Sequence, residues 1–158
     1  MSNPNVLRMR TFSKGYGMAG ARVGYVLGEA ETITAFNKIR NHFGMCRISQ
    51  AGALAALADQ GHLKDTQAKV AASRDRIGQI ARDNGLVPLP SATNFVAIDC
   101  GRDGEYARKL LAELLELGLF VRMPFVAPQD RAIRISCGSQ ADMDLLAQAL
   151  PLAIQAAQ

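Results

Sequence analysis

Residues 11 to 25 read Thr11-Phe12-Ser13-Lys14-Gly15-Tyr16-Gly17-Met18-Ala19-Gly20-Ala21-Arg22-Val23-Gly24-Tyr25, and the fold turns on how this stretch is read. Three glycines within six residues mark a loop from Ser13 to Gly20. Before it, Val6 to Phe12 interleaves apolar side chains with Arg8, Arg10 and Thr11, the pattern of a strand. After it, Ala21 to Leu27 is a second short strand, rich in Val23, Tyr25 and Val26, and Gly24 inside it signals a close backbone approach. Gly15, Gly17 and Gly20 satisfy the spacing of a dinucleotide-binding loop, but such a loop opens a helix and is followed about twenty residues on by an acid. Here a strand comes next, and positions 35 to 40 hold Ala, Phe, Asn, Lys, Ile and Arg. The loop is therefore not of the dinucleotide type.

A strand ending at Thr11-Phe12-Ser13-Lys14 delivers its polar side chains to the carboxyl edge of a sheet, where open α/β sheets bind ligands. Lys14 stands beside a hydroxyl, and Arg22 lies eight residues later across the glycine turn. A hydroxyl and a guanidinium make a phosphate cradle. An amine beside that cradle is suited to imine formation with an aldehyde held by the phosphate, provided burial or a neighbouring cation strips its proton. On spacing alone, the same residues also fit a solvated loop.

The remainder of the chain reads as an α/β protein. Glu29 to Arg40, Ser49 to Ala58 and His62 to Asn84 are helical; the last has a thin apolar stripe and ends at Asn84-Gly85, as a helix bridging two lobes would. Leu86 to Leu89 is a short extended piece, and Asn94 to Asp99, Leu119 to Met123 and Ala132 to Ser136 are strands. Glu105 to Leu117, closed by Gly118, and Asp142 to Gln155, with Ser139 at an N-cap spacing, are helices. In Ala132-Ile133-Arg134-Ile135-Ser136, alternation sends Ile133 and Ile135 to one side and Arg134 and Ser136 to the other, which is either a solvent face or a rigid mount for carboxylate recognition.

Composition narrows the possibilities. The 158 residues are 49% hydrophobic and 20% charged, a globular balance, with a net charge of +4. The basic residues are scattered, aromatic residues are few and Trp is absent, which argues against a nucleic-acid partner. Cys46, Cys100 and Cys137 form no CxxC pair; His42 and Cys46 have a helical i, i+4 spacing, but two ligands alone make a poor metal site, so no metal is expected. No leader pattern or membrane-length apolar run appears, so a cytoplasmic location is the expectation.

Taken together, the stretch from Thr11 to Tyr25 resembles the cofactor-lysine signature of the fold-type I, pyridoxal-phosphate-dependent aminotransferases, and is most similar to their histidinol-phosphate aminotransferase branch. The Ser-Lys pair, the Arg eight positions on and the subsequent Val-Gly-Tyr are all present; Gly15, Met18 and Ala21 are mild departures from the family's usual Ala or Leu. The resemblance implies that Lys14 is the Schiff-base lysine for pyridoxal 5'-phosphate and that Ser13 and Arg22 bind its phosphate. Ala132 to Gly138 resembles the family's Leu-Arg-Ile-x-x-Gly strand, which implies that Arg134 grips the substrate's carboxylate or corresponding polar group. Ala92 to Phe95 resembles the Ala-Asn-Phe segment, which makes Asn94 a substrate-side candidate beside its other role of satisfying backbone groups at the strand start.

The implied architecture is the C-terminal part of the aspartate aminotransferase-like fold: residues 1–60 a remnant of the large cofactor-binding domain, 61–84 a connecting helix and 85–158 the small α/β domain. The implied reaction moves an amino group between an amino acid or amino-alcohol phosphate and a 2-oxo acid, in a homodimer. Only 13 residues precede Lys14, so the upstream aspartate on the pyridine nitrogen, the glycine turn at the phosphate and the Asn and Tyr around the ring hydroxyl are missing. The expectation is thus a fragment, inactive alone, whose first strand lacks its sheet neighbours. Two other readings stay open: another enzyme of the same fold, such as a threonine-phosphate decarboxylase or an aromatic aminotransferase, and a non-catalytic α/β interaction domain.

Overall fold

A computed structural model describes residues 6 to 158; the first five residues of the expected large-domain remnant lie outside the described residues. The chain divides into two compact units, the first running to Gln67 and the second from Ala68 to Gln158.

The first unit opens with β1 (Arg8–Thr11) and β2 (Gly24–Leu27), paired antiparallel as a two-stranded ribbon with Thr11 opposite Gly24. The close approach expected at Gly24 is present: a Cβ there would meet the Arg10 carbonyl oxygen at 2.6 Å. All of β1 is exposed, and β2 is its one strand partner among the described residues. The loop between the strands leads into a single 3-10 turn at Ala19–Ala21 and then directly into β2, so the glycines do not open an α-helix. Helix α1 (Ala30–Phe36) is shorter than the sequence suggests. Its continuation tightens into i to i−3 bonds at Asn37, Lys38 and Ile39, where the Asn37 side chain is drawn off to accept from Arg40 Nε. Residues 41 to 46 are turn and bend, so His42 and Cys46 do not share a helix face. Helix α2 (Arg47–Ala58) is instead capped by Cys46, whose sulfur accepts from Ser49 N.

Helix α3 (Gln60–Asp83) comes next, and the division between the units falls within it. Its buried residues, Ser73, Ile77, Gly78, Ile80 and Ala81, all belong to the second unit. It ends as read from the sequence: Gly85 is left-handed (φ 74°), which lets Leu86 N reach Ala81 O and Gly85 N reach Arg82 O.

The second unit is an antiparallel sheet ordered β3 (Val87–Pro88), β4 (Phe95–Asp99), β5 (Ala132–Ser136), with α4 (Gly104–Glu116) and α5 (Gln140–Ala156). Val96, Ile98, Ile133 and Ile135 point into one core with Ile77 and Ile80 of α3, Leu110 and Leu114 of α4, and Leu146 and Leu150 of α5. Helix α5 starts in a capping box, with Ser139 and Asp142 each bonding the other's backbone.

The strand expected from Leu119 to Met123 reduces to one antiparallel bridge, Arg122 with Arg134. Those two residues exchange both backbone bonds, at 2.6 and 3.2 Å. Hydrogen-bonded pairs alternate along an antiparallel ladder, so the next would use position 124. That residue is Pro124, which has no N–H to give. No helix among the described residues is long and apolar enough to cross a membrane.

Leu110 is fully buried, whereas Leu115 on the same helix is half exposed. Leu110→Ala is expected to cost about 2–5 kcal/mol, and Leu115→Ala within about 0.5 kcal/mol. Urea unfolding midpoints at unchanged slope measure both.

Candidate active site

The loop from Phe12 to Val23 is closed on itself. Phe12 is 2% exposed and packs with Val23 and Ala53, with its ring 5.0 Å from Tyr16 and 5.8 Å from Tyr25. Phe12 N donates to Val23 O, Met18 N to Phe12 O and Gly17 N to Lys14 O. Ser13 N donates to Thr11 Oγ1. Ser13 is half-buried, while Lys14 and Arg22 are exposed. Among the described residues, neither the Lys14 amine nor the Ser13 hydroxyl has a hydrogen-bond partner, and no acid pairs with Lys14 or Arg22.

Arg22 is the one non-glycine residue with positive φ among the described residues, at φ 51° and ψ 46°. A side chain in that region costs on the order of 1–3 kcal/mol and persists where surrounding structure over-determines it. The surroundings do so: Arg22 Nη1 donates to Ala19 O at 2.8 Å, the next residue Val23 is buried, and the Ala21 carbonyl accepts from Ser49 Oγ at 2.7 Å. The loop thus gathers an amine, a hydroxyl and a guanidinium on one short closed segment.

In the second unit, the alternation read from the sequence holds: Ile133 and Ile135 are buried and Arg134 is half-buried on the opposite face. Its guanidinium lies 4.9 Å from the Phe95 ring centroid. It lines a cavity of about 540 Å³ with Leu111, Phe120, Arg122, Met123 and Phe125. Arg122, which the sequence reading did not single out, stacks 5.8 Å over Phe120. The signal was available: Val121 and Met123 flank it and are buried, just as Ile133 and Ile135 flank Arg134. Neither arginine has an acidic partner among the described residues, whereas the neighbouring Arg131 is neutralised by Asp99 at 3.0 Å. The Asp99 carboxyl is held below its usual range by the Gly101 N–H and then by Arg131, against the opposing effect of burial.

Asn94 stands at the entry to β4, where its backbone oxygen accepts from Cys137 N. The strand-start role expected of its side chain is taken by others: Ser91 Oγ and Thr93 Oγ1 both donate to Phe95 O, and Phe95 N donates to Thr93 Oγ1. The Asn94 carboxamide has no partner among the described residues.

The fold defined by these elements is that of the pyridoxal-phosphate-dependent aminotransferases. The chain belongs to the family of aminotransferases of class I and II, whose model matches residues 1–150. It is 40% identical over 146 residues to the histidinol-phosphate aminotransferase of Staphylococcus haemolyticus, an alignment covering 92% of this chain and 38% of that protein. It is 36% identical over 148 residues to the aromatic amino acid aminotransferase of Mycobacterium avium, covering 94% of this chain and 40% of that protein. Among solved structures, the histidinol-phosphate aminotransferase of Sinorhizobium meliloti in complex with pyridoxal-5'-phosphate superposes with a TM-score of 0.92 at 60% identity, covering 98% of this chain and 42% of that one. The chain thus spans about two fifths of the length of the relatives it matches.

The cysteines offer a probe of the local electrostatics. The Cys46 thiol is drawn below its ordinary range, first by the Ser49 hydroxyl and then by the Ser49 N–H. Burial pushes Cys100 up to about 11 and also raises Cys137. Thiolate is the reactive form, so a depressed thiol reacts at lower pH and a raised one only at higher pH. Iodoacetamide labelling across a pH series, read by peptide mapping, is expected to modify Cys46 first, Cys137 later and Cys100 last.

Proposed function

We propose that this chain is the C-terminal part of a pyridoxal-phosphate-dependent aminotransferase of the histidinol-phosphate type. The intact enzyme would transfer an amino group between an amino acid or amino-alcohol phosphate and a 2-oxo acid. The observation that carries the reading is the closed loop that leaves Ser13, Lys14 and Arg22 without acidic partners among the described residues while holding Arg22 in a strained backbone conformation. That donor set fits pyridoxal 5'-phosphate: an amine for the aldehyde, and a hydroxyl and a guanidinium for the phosphate. When bound, that group supplies an electron sink for the carbanion formed at the amino-bearing carbon.

In this reading Ser13 and Arg22 fix the phosphate by charge-assisted hydrogen bonds. Lys14 supplies the amine and, once free, carries the proton to and from the substrate's amino-bearing carbon as general base and acid. Arg134 grips the substrate's acidic group; its stacking on Phe95 leaves the in-plane N–H donors available for a planar carboxylate. Arg122 adds a second cation to the same cavity, and Phe120, Met123 and Phe125 give it an apolar wall suited to a ring-bearing substrate. Asn94 is a further substrate-side hydrogen-bonding group. The first unit corresponds to the end of the large domain and the second to the small domain of a cytoplasmic homodimer.

Adding pyridoxal phosphate, reducing with borohydride and mapping the adduct tests the proposal. The label is expected on Lys14 and is expected to vanish in Lys14→Ala; random labelling of surface lysines would support a non-catalytic interaction domain instead. Arg134→Ala is expected to weaken binding of an amino-acid substrate by about ten- to a hundredfold, the loss of hydrogen bonds to a charged group. Titration of the substrate against the absorbance of the bound cofactor measures this, and Arg134→Lys should recover part of the loss.

A further inference from the structure

We infer that Ser49 is a positioning residue for the phosphate-binding arm, its hydroxyl holding the Ala21 carbonyl and so fixing the left-handed backbone of Arg22. The inference rests on the reading above, in which Arg22 serves the cofactor phosphate.

Ser49 is 7% exposed, in the first turn of α2, against the cluster of Phe12, Val23 and Ala53. A buried hydroxyl in such a place costs free energy unless it is bonded. Its bond reaches across 28 positions of sequence to Ala21 O at 2.7 Å, so it links two segments and does not merely satisfy its own helix. Cys46 Sγ lies 3.1 Å from the same hydroxyl; in its thiol form it can donate to Ser49 Oγ, which leaves the hydroxyl's own proton for Ala21 O.

The geometry of the peptide unit makes that bond directional. The peptide joining Ala21 to Arg22 is planar, with the Ala21 carbonyl on one edge and the Arg22 N–H on the other. The N–H edge is only weakly held, since Arg22 N to Ala19 O is 3.5 Å. The carbonyl edge is held at 2.7 Å by Ser49. Beyond Arg22, Val23 is buried and its carbonyl accepts from Phe12 N. With the plane before Arg22 and the residue after it both anchored, φ and ψ of Arg22 have little freedom. Released from Ser49, the Ala21–Arg22 plane can rotate toward the ordinary right-handed region, which swings the Arg22 side chain away from where the loop now carries it.

The face of α2 that bears Ser49 packs on the same cluster as the loop. Gly52, one turn on, sits so close to the loop that a Cβ there would meet Met18 Cε at 2.9 Å, and Ala53 and Ala56 continue the seat.

The test compares pyridoxal phosphate with pyridoxal, which lacks the phosphate, on the full 158-residue chain. Affinity is read by cofactor absorbance, and the extent of borohydride labelling at Lys14 is an independent readout. Ser49→Ala is expected to weaken pyridoxal phosphate about five- to tenfold, the scale of one hydrogen bond lost. Pyridoxal affinity should not change. Ser49→Thr should restore the wild-type value, and Ser49→Ala should add nothing in an Arg22→Ala background. If Ser49→Ala fails to fold, Ser49→Cys, with the same shape and a weaker donor, gives a graded version. Equal losses for both ligands, additive losses in the double variant, or no loss at all would overturn the inference. If the unaltered chain itself binds pyridoxal phosphate no better than pyridoxal, the cofactor reading falls and the role of Ser49 falls with it. A wild type that discriminates, beside a Ser49→Ala that discriminates equally, removes the role of Ser49 alone.

Discussion

Backbone groups that are buried must be hydrogen-bonded, and a loop that presents free side-chain donors must satisfy its own amides and carbonyls by other means. The segment between β1 and β2 meets that constraint through its own backbone and one outside hydroxyl. Phe12 and Val23 close the ends, Met18 folds back on Phe12, Gly17 turns onto Lys14, and Ser49 takes the Ala21 carbonyl. With the backbone settled in this way, the Ser13 hydroxyl and the Lys14 amine make no hydrogen bond among the described residues, and Arg22 spends one donor, on Ala19 O. The left-handed Arg22 is the point at which the arrangement is strained, and it is also where the anchoring bonds concentrate.

The two units are held by different means. In the second, a continuous apolar core joins one sheet face to three helices, with Ile77, Ile98, Leu110, Leu114, Ile133 and Leu150 all fully buried. In the first, the buried cluster is Phe12, Val23 and Ala53, and large apolar residues such as Met9, Ile39, Phe43, Ile48 and Leu54 remain in solvent. Order in the first unit therefore depends more on hydrogen bonds and on the close seating of α2 than on burial. Stabilisation of that kind is sensitive to single polar contacts, since removing one partner leaves the other unsatisfied.

The outer face of the second unit treats its arginines in two ways. Arg131 is paired with Asp99, which neutralises it and ties the turn before β5 to the end of β4. Among the described residues Arg122 and Arg134 have no acidic partner, and they lie over phenylalanine rings instead. A ring face attracts a cation without occupying its N–H donors. Stacking thus holds each guanidinium in place yet keeps it able to bind an anion, which an ion pair would not.

Local pattern carried most of the elements and much of the site. Strand alternation placed Ile133 and Ile135 inward and Arg134 outward, the Asn84-Gly85 pair ended α3, and Ser139 with Asp142 marked the start of α5, because each of these is set by neighbours within a few residues. The glycine loop was legible for the same reason: the segment on its C-terminal side alternates as a strand and not as a helix. Other features depended on partners far along the chain. Pro124 stops the ladder on the C-terminal side of Arg122 only because Arg122 pairs with Arg134, Ser91 and Thr93 displace the Asn94 side chain from the strand start, and Arg122 matters because it shares a cavity with Arg134. Ser49 reads in sequence as one more small residue of a small-residue helix. Its bond to Ala21 spans 28 positions, and no periodicity encodes a contact between segments that only packing brings together.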